Sequence, residues 1–340
     1  MARIAVVTSS PPSTEGGHLV IGRALVLAAQ EAGHQATLVV TPDFGFGRTL
    51  STYWANWNAS VGSADQVVSL RYPSYAVRHP SHVSWLNHTM REYYDLWPGF
   101  KASLSPLNRV KEGLRRTAIR STDAWLLKHN VRRLVAQSDT IRRRIEREFG
   151  MQTEVLLPPA PQRPYRCEGY GDYIFALSRL VPLKRVELLV RALAEPQARH
   201  ITAVVAGEGH SREELEALAS AIGVADRIAF LGRIDEADML THLARCRAVC
   251  FTPLDEDYGF VTVEAFASGK AVVTCVDSGG PTELVKNGES GFVTDATPAA
   301  LATALAQLSD DAALAERMGA AGATRAASMT WGAVVSRLVI

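Results

Sequence analysis

The chain has 340 residues, 47% hydrophobic and 21% charged, a globular balance that excludes a disordered protein and is long enough for two domains of ordinary size. The formal net charge is +1, which gives no whole-chain argument for nucleic acid as a partner. No apolar segment reaches transmembrane length.

The opening run Ala2-Arg3-Ile4-Ala5-Val6-Val7-Thr8 is too short for a signal peptide and reads as a first strand. A Pro/Ser/Gly loop from Ser9 to Gly17 leads to a helical pattern ending at Ala32, with Gly33 at the C-cap position and a second strand at Ala36 to Val40. This βαβ opening predicts a parallel sheet. Segment 43–60 scatters Phe44, Phe46, Tyr53, Trp54 and Trp57 among Gly, Ser, Thr and Asn, with neither strand nor helix period. It reads as a long loop that serves the active face or packs its aromatics on the body. A short strand at Val83 to Leu86 ends at Asn87-His88, a basic helical region runs to about Lys128, and Leu134 to Ala136 is another strand. Ser138 caps a helix that Gly150 ends. Between Lys101 and Arg147 the cations far outnumber Glu112, Asp123, Asp139 and Glu146. That region predicts either a face for an anionic membrane or acidic substrate, or a solvated helix surface.

After a strand at Glu154 to Leu157, Pro158, Pro159, Pro161 and Pro164 fall within seven residues and can extend neither helix nor sheet, so the domain linker lies there. The expected domains are 1–160 and 165–329, with a short amphipathic helix at 330–340 returning toward the first. The second half repeats strand, loop and helix. The strands are Tyr173 to Leu177, Ile201 to Ala206, Ile228 to Leu231, Ala248 to Thr252 and Ala271 to Cys275. The helices include Leu183 to Ala194, one opened by a Ser211/Glu214 capping box, one capped by Asp235, and one beginning near Val263. The fold class is α/β, two doubly wound Rossmann-like domains with a cleft between them. The cysteines, Cys167, Cys246, Cys250 and Cys275, show no metal-ligand pairing and read as reduced residues of a cytosolic protein.

Several strand-end loops carry polar chemistry. In Asp255 to Phe266, Glu256 on the loop and Glu264 in the first helical turn can face one polyhydroxylated ligand, because carboxylates accept paired hydrogen bonds from a diol. The same spacing also fits a solvated acidic turn with a first-turn Glu complementing the helix dipole. Arg179 and Lys184, five apart across a strand-to-helix turn, can aim two cations at a diphosphate. Gly207-Glu208-Gly209 lets backbone approach a ligand or makes a tight turn. Gly279-Gly280-Pro281 offers amides before a helix, as do Gly16 and Gly17 in the first domain.

Taken together, these residues resemble the retaining glycosyltransferases of family 4, which have the GT-B fold. The resemblance runs from the first strand to the final helix. It is strongest in Ser178-Arg179-Leu180-Val181-Pro182-Leu183-Lys184, in Glu256 through Glu264 and in Ser278-Gly279-Gly280-Pro281-Thr282-Glu283-Leu284-Val285. Trp85 to Trp97 is similar to the family's His-Thr or His-x-His segment, although no second histidine stands close to His88. The resemblance implies that Glu264 binds the ribose of a nucleotide sugar. Glu256 would hold sugar hydroxyls with the loop Tyr258-Gly259-Phe260-Val261. Arg179 and Lys184 would hold the diphosphate and neutralise the charge that grows on it, a term on the order of 3 kcal/mol per donor. Arg233 and Ile234 would lie beside the base, and His88 would approach the reacting sugar.

The implied reaction is transfer of a hexosyl group from a UDP- or GDP-sugar to an acceptor hydroxyl on a saccharide, a lipid-linked glycan or a small molecule. Configuration would be kept by a front-face route in which the departing phosphate takes the acceptor's proton. No cofactor is implied beyond the donor itself. Asp255-Glu256-Asp257 spells an acidic triplet that could suggest a metal, but Arg179 and Lys184 already supply positive charge, so no metal site is expected. The alternatives are an epimerase or phosphorylase of the same architecture, or a silent sugar-nucleotide-binding partner. The expected location is cytoplasmic, with peripheral contact at the inner membrane face if the 101–147 region meets lipid.

Overall fold

The computed structural model describes residues 1–11 and 16–339. The chain forms two compact units, Met1–Pro158 with Thr330–Ile340, and Pro159–Met329.

The first unit is built on a six-stranded parallel sheet in the order β2-β1-β3-β4-β5-β6. Its strands are β1 (Arg3–Ser10), β2 (Gln35–Pro42), β3 (Gln66–Ser69), β4 (His82–Leu86), β5 (Arg133–Ala136) and β6 (Glu154–Val155). Ile4 through Val7 and Val67–Val68 are buried, as a strand covered on both faces requires. The chain leaves β1 toward β2 and returns to place β3 on the other side, so strand order reverses between β1 and β3. The loop from Ser9 to Gly17 expected from sequence lies partly outside the described residues.

Segment 43–60 is not a long loop. It holds a short turn of 3₁₀-helix at Phe46–Arg48 and an α-helix at Thr49–Trp57. Its buried stripe is Thr49, Thr52, Tyr53 and Asn56, at helical spacing but mostly polar, while Leu50 and Trp54 are 79% and 71% exposed. The usual apolar-inward pattern is inverted, and for that reason the period is hidden. The polar stripe is satisfied locally: Thr52 Oγ1 accepts from the Phe44 amide at 3.1 Å, and Thr41 Oγ1 donates to Asn56 Oδ1 at 2.5 Å.

The long basic helix Pro106–His129 is fastened inward by Asp123, whose buried carboxylate accepts hydrogen bonds from the hydroxyls of Tyr53, Tyr75 (2.5 Å) and Tyr94 (2.7 Å). Burial pushes that carboxyl up to about 6 against the pull of its three donors. The last helix, Trp331–Leu338, belongs to the first unit. Thr330 caps it, Trp331 meets Trp85 edge-on with centroids 6.2 Å apart, and Gln66 Nε2 donates to Leu338 O at 2.7 Å.

The second unit repeats the plan with β7 (Tyr173–Leu177), β8 (Thr202–Ala206), β9 (Ile228–Gly232), β10 (Ala248–Cys250), β11 (Val272–Cys275) and β12 (Gly291–Thr294), in the order β12-β11-β10-β7-β8-β9. All pairs are parallel, and Ile174, Val205 and Val273 join Leu189 and Leu305 from the covering helices in one core. Strand order reverses between β7 and β10, and ligands of open α/β sheets sit outside the carboxyl ends of strands at such a point.

Three local expectations change. The helix expected from Leu183 is a 3₁₀ turn at Pro182–Lys184, a left-handed Arg185 (φ 49°), and then an α-helix at Val186–Ala192. The Ser211/Glu214 capping box does not form: Ser211 has near-helical backbone and makes no side-chain cap, and its amide already donates to Leu180 O at 3.0 Å. The helix after β10 spans Phe260–Ala267, so Glu264 stands a full turn beyond its start, not in the first turn. Asp235 does cap its helix, accepting from the Asp238 amide at 2.8 Å.

Candidate functional site

The loops leaving β7, β10 and β11 are tied together by backbone. Leu254 N donates to Leu183 O at 2.8 Å, Asp255 N to Asp277 O at 2.9 Å and Glu256 N to Ser278 O at 2.9 Å. Arg185 locks the same three loops from the side. Its guanidinium reaches Thr252 O (2.9 Å), Pro253 O (2.8 Å) and both oxygens of Asp277 (2.6 and 2.7 Å). A left-handed backbone costs a non-glycine residue on the order of 1 kcal/mol. These bonds hold Arg185 there, and the turn it makes points Lys184 the other way. Lys184 Nζ meets Glu256 Oε2 at 2.5 Å and lies over the Phe251 ring. A cation from the β7 end and a carboxylate from the β10 end thus meet at the switch point of the sheet.

Glu264 is buried, its side chain 7% exposed. Its Oε1 accepts from Arg163 Nη1 and from the Tyr165 hydroxyl at 3.1 Å, and Arg163 Nε also pairs with Glu236 at 2.8 Å. Burial pushes the Glu264 carboxyl up, and Arg163 pulls the other way. Sequence reasoning placed Arg163 in the proline linker and missed it, because one arginine among prolines has no pattern to detect.

The other residues named from sequence divide by environment. Arg179 and Arg233 are exposed, with no side-chain hydrogen bond or ion pair among the described residues. Ile234 is half-buried beside Arg233, and Glu208 is exposed. Gly207 and Gly209 answer to close backbone approach: an added Cβ would stand 1.8 Å from Ser178 O and 2.0 Å from Leu180 O. Glu208 O accepts from Leu180 N at 2.8 Å, so this loop braces the Ser178–Lys184 loop. Tyr258 is buried with its ring edge-on to Phe260, and its backbone packs closely on Gly280. Phe260 and Val261 open the helix behind Gly259. The amide of Gly280, expected from sequence to be free for an anion, instead donates to Glu256 O at 2.8 Å. Among the described residues no cluster of three or more His, Cys, Asp or Glu is arranged to hold a metal ion.

In the first unit, the β1/β3 switch point gathers residues that carry no motif. Arg71, just past β3, lies 3.4 Å from His18 Nδ1 and 3.5 Å from Asp43 Oδ2. His18 opens the helix Gly17–Glu31 behind Gly16, and burial, with the charges of Arg71 and His88, pulls its imidazole down to about 3. His88, past β4, donates from Nδ1 to Thr89 O at 2.7 Å, which fixes the proton on that nitrogen when the ring is neutral. Sequence reasoning found His88, Gly16 and Gly17 and missed His18, Asp43 and Arg71.

Doubly wound sheets with polar loops at their switch points define an α/β protein of two Rossmann-like units, and comparison with known proteins narrows this. Residues 168–325 match the family described as glycosyl transferases group 1. Over 187 residues the chain is 35% identical to the GDP-mannose-dependent alpha-(1-6)-phosphatidylinositol monomannoside mannosyltransferase of Mycolicibacterium smegmatis, covering 51% of this chain and 49% of that protein. It is 32% identical over 170 residues to the D-inositol 3-phosphate glycosyltransferase of Streptomyces griseus, covering 46% of this chain and 36% of that one. The chain thus spans about half or less of the length of these curated relatives. Its fold matches sucrose-phosphate synthase from Thermosynechococcus elongatus (TM-score 0.78, 16% identity, 99% and 97% of the two chains). It also matches Anabaena Alr3699/HepE in complex with UDP and glucose (TM-score 0.72, 17% identity, 98% of each chain). Residues 168–325 are thus similar to the group 1 glycosyl transferases, and the fold of the chain is GT-B.

Proposed function

We propose that the protein is a retaining, metal-independent hexosyltransferase that uses a UDP- or GDP-sugar and glycosylates an acceptor hydroxyl. The observation that carries this reading is the meeting of Lys184 and Glu256 at 2.5 Å at the β7/β10 switch point. In the proposed complex the donor's diphosphate replaces Glu256 as partner of Lys184, with Arg179 as a second cation. Glu256 is thereby released to accept hydrogen bonds from the sugar. Glu264 takes the ribose, and the loop at Arg233 and Ile234 lies by the base. The bond from the anomeric carbon to the phosphate oxygen breaks as the acceptor oxygen bonds to that carbon. The departing phosphate receives the acceptor's proton, and Lys184 and Arg179 neutralise the charge it gains.

In this reading the first unit carries the acceptor, with His88 among the polar residues proposed to serve it. The relatives' transferase names favour this over the epimerase, phosphorylase or silent-partner alternatives.

The membrane part of the proposal moves within the basic region. Arg142, Arg143, Arg144 and Arg147 pair with Asp139, Glu146, Asp95 and Glu148, so much of that cationic charge is spent internally. The start of the helix Pro106–His129 offers more: Leu107, Val110 and Leu114 are 80%, 66% and 71% exposed, with exposed Lys101, Arg109 and Lys111 around them. An apolar stripe edged by cations is the pattern of an interfacial helix. No helix among the described residues is long and apolar enough to cross a membrane.

A thermal-shift screen against UDP-, GDP-, ADP- and TDP-sugars tests the donor assignment. One nucleotide should stand out, because a ligand that binds only the native state stabilises it by mass action. No shift with any of them at millimolar concentration would remove the assignment.

A further inference from the structure

Glu264 is held asymmetrically. Both of its protein hydrogen bonds, from Arg163 Nη1 and the Tyr165 hydroxyl, fall on Oε1, and Oε2 accepts none among the described residues. Oε2 is not among the buried side-chain atoms left without a partner, so this oxygen reaches the surface while the rest of the carboxylate is enclosed. An oxygen left open beside a strand-end loop is what a ligand bearing hydroxyl donors requires. We propose that Arg163, supported by Tyr165, is a positioning residue that pins one oxygen of Glu264 so that the other is presented to the hydroxyls of the nucleoside. This rests on the ribose role given to Glu264 above.

The sequence around Arg163 suits the task. Pro161 and Pro164 restrict the backbone on either side, and Tyr165 N donates to Arg163 O at 2.8 Å, a tight turn that brings both side chains to the same oxygen. Glu236, next to the helix cap Asp235, holds the guanidinium from a second direction through Nε at 2.8 Å. Arg163 is half-buried with a side chain 19% exposed, so its charge acts on Glu264 with little screening. Burial alone favours the protonated carboxyl, and a protonated Glu264 gives up much of its capacity to accept a diol's hydrogen bonds. The guanidinium therefore keeps the acceptor in its ionised form as well as in place.

The test is calorimetric titration of UDP and of GDP into wild type, Arg163→Ala, Arg163→Lys, Glu264→Gln and the Arg163→Ala/Glu264→Gln double variant, each checked for native circular dichroism. Arg163→Ala should bind the preferred diphosphate about tenfold more weakly, the coupling expected of residues in contact. Over the pH range in which the protein stays folded, its affinity should also fall more steeply than wild type as pH is lowered, because its Glu264 takes up a proton more readily. Arg163→Lys should keep part of the affinity, and it carries the test if the alanine variant does not fold. In the Glu264→Gln background the Arg163 change should add little, and the extra pH dependence should vanish. Affinity equal to or tighter than wild type across that range in Arg163→Ala, with Glu264→Gln still weakened, would make Arg163 a bystander or a plug and overturn the proposal alone. If Glu264→Gln binds normally, the ribose reading itself fails and takes this proposal with it.

Discussion

The two units share one plan, a six-stranded parallel sheet whose strand order reverses once, and they differ in how many polar side chains join the backbone ties that hold the loops at the reversal. In the second unit backbone holds backbone, Leu254 to Leu183, Asp255 to Asp277, Glu256 to Ser278 and Leu180 to Glu208, and the Arg185 side chain clamps these loops from the side. In the first unit backbone ties such as Asp43 N to Ser10 O and Tyr72 N to His88 O are joined by a set of polar side chains, with Arg71 between His18 and Asp43, and Thr41 bonded to Asn56. A backbone lattice asks of sequence only that glycine stand where chains touch, as at Gly207 and Gly209, so fewer of its polar side chains are needed as braces. Side-chain bracing consumes polar residues scattered along the chain. The first mode leaves a compact motif; the second leaves none.

The largest expected effect lies in the backbone-held site. Lys184→Ala should lower kcat for sugar transfer by on the order of a hundredfold or more, with the melting temperature little changed. Near-normal turnover by that variant would break the claim that this unit is a prebuilt diphosphate site. Next in size, Glu264→Gln should weaken nucleoside diphosphate binding about tenfold while leaving the preference among sugars unchanged. A changed sugar preference with normal nucleotide affinity would reassign Glu264 to the sugar.

The first unit is probed by lipid. Flotation with vesicles containing anionic phospholipid should fall several-fold when Leu107, Val110 and Leu114 are changed together to Ser. Charge reversal of Arg142, Arg143 and Arg144 should change it less, since those cations are already paired. The reverse ranking would restore the whole basic region as the contact face.

The smallest effect is one of stability with pH. Burial pulls His82 down from 6.5 to about 4, its Nε2 lying 2.9 Å from Ser69 Oγ. The folded value lies below the unfolded one, so this group's contribution is complete above about pH 6.5 and is lost as pH falls toward about 4. The melting-temperature difference between wild type and His82→Gln should therefore shrink across that window. A constant difference would show that His82 does not titrate with unfolding.

What was legible follows the same division. The β-loop-α alternation, the proline boundary and Lys184 and Glu256 as separate candidates stood out because period, turn chemistry and strand-end placement agreed, while the meeting of those two side chains did not. The helix Thr49–Trp57 did not, since its inward stripe is polar and its apolar residues face outward. Ser211 and Glu214 matched a capping pattern, but a tertiary contact from Ser211 N to Leu180 O had already taken the amide that the box needs. Arg163, His18, Asp43 and Arg71 are single residues whose partners lie far away in sequence, and only the fold brings them together. Gly207-Glu208-Gly209 read equally as room for a ligand or as a tight turn, and Gly207 and Gly209 make room for neighbouring backbone.

The central claim is that the loops at the β7/β10 switch point form a nucleoside diphosphate site gripped by Lys184 and Glu264. Titration calorimetry of UDP and GDP into wild type, Lys184→Ala and Glu264→Gln tests it most directly. The account predicts saturable binding of one of the two by wild type and a loss of about tenfold or more in each variant. Equal affinity in all three proteins would contradict it.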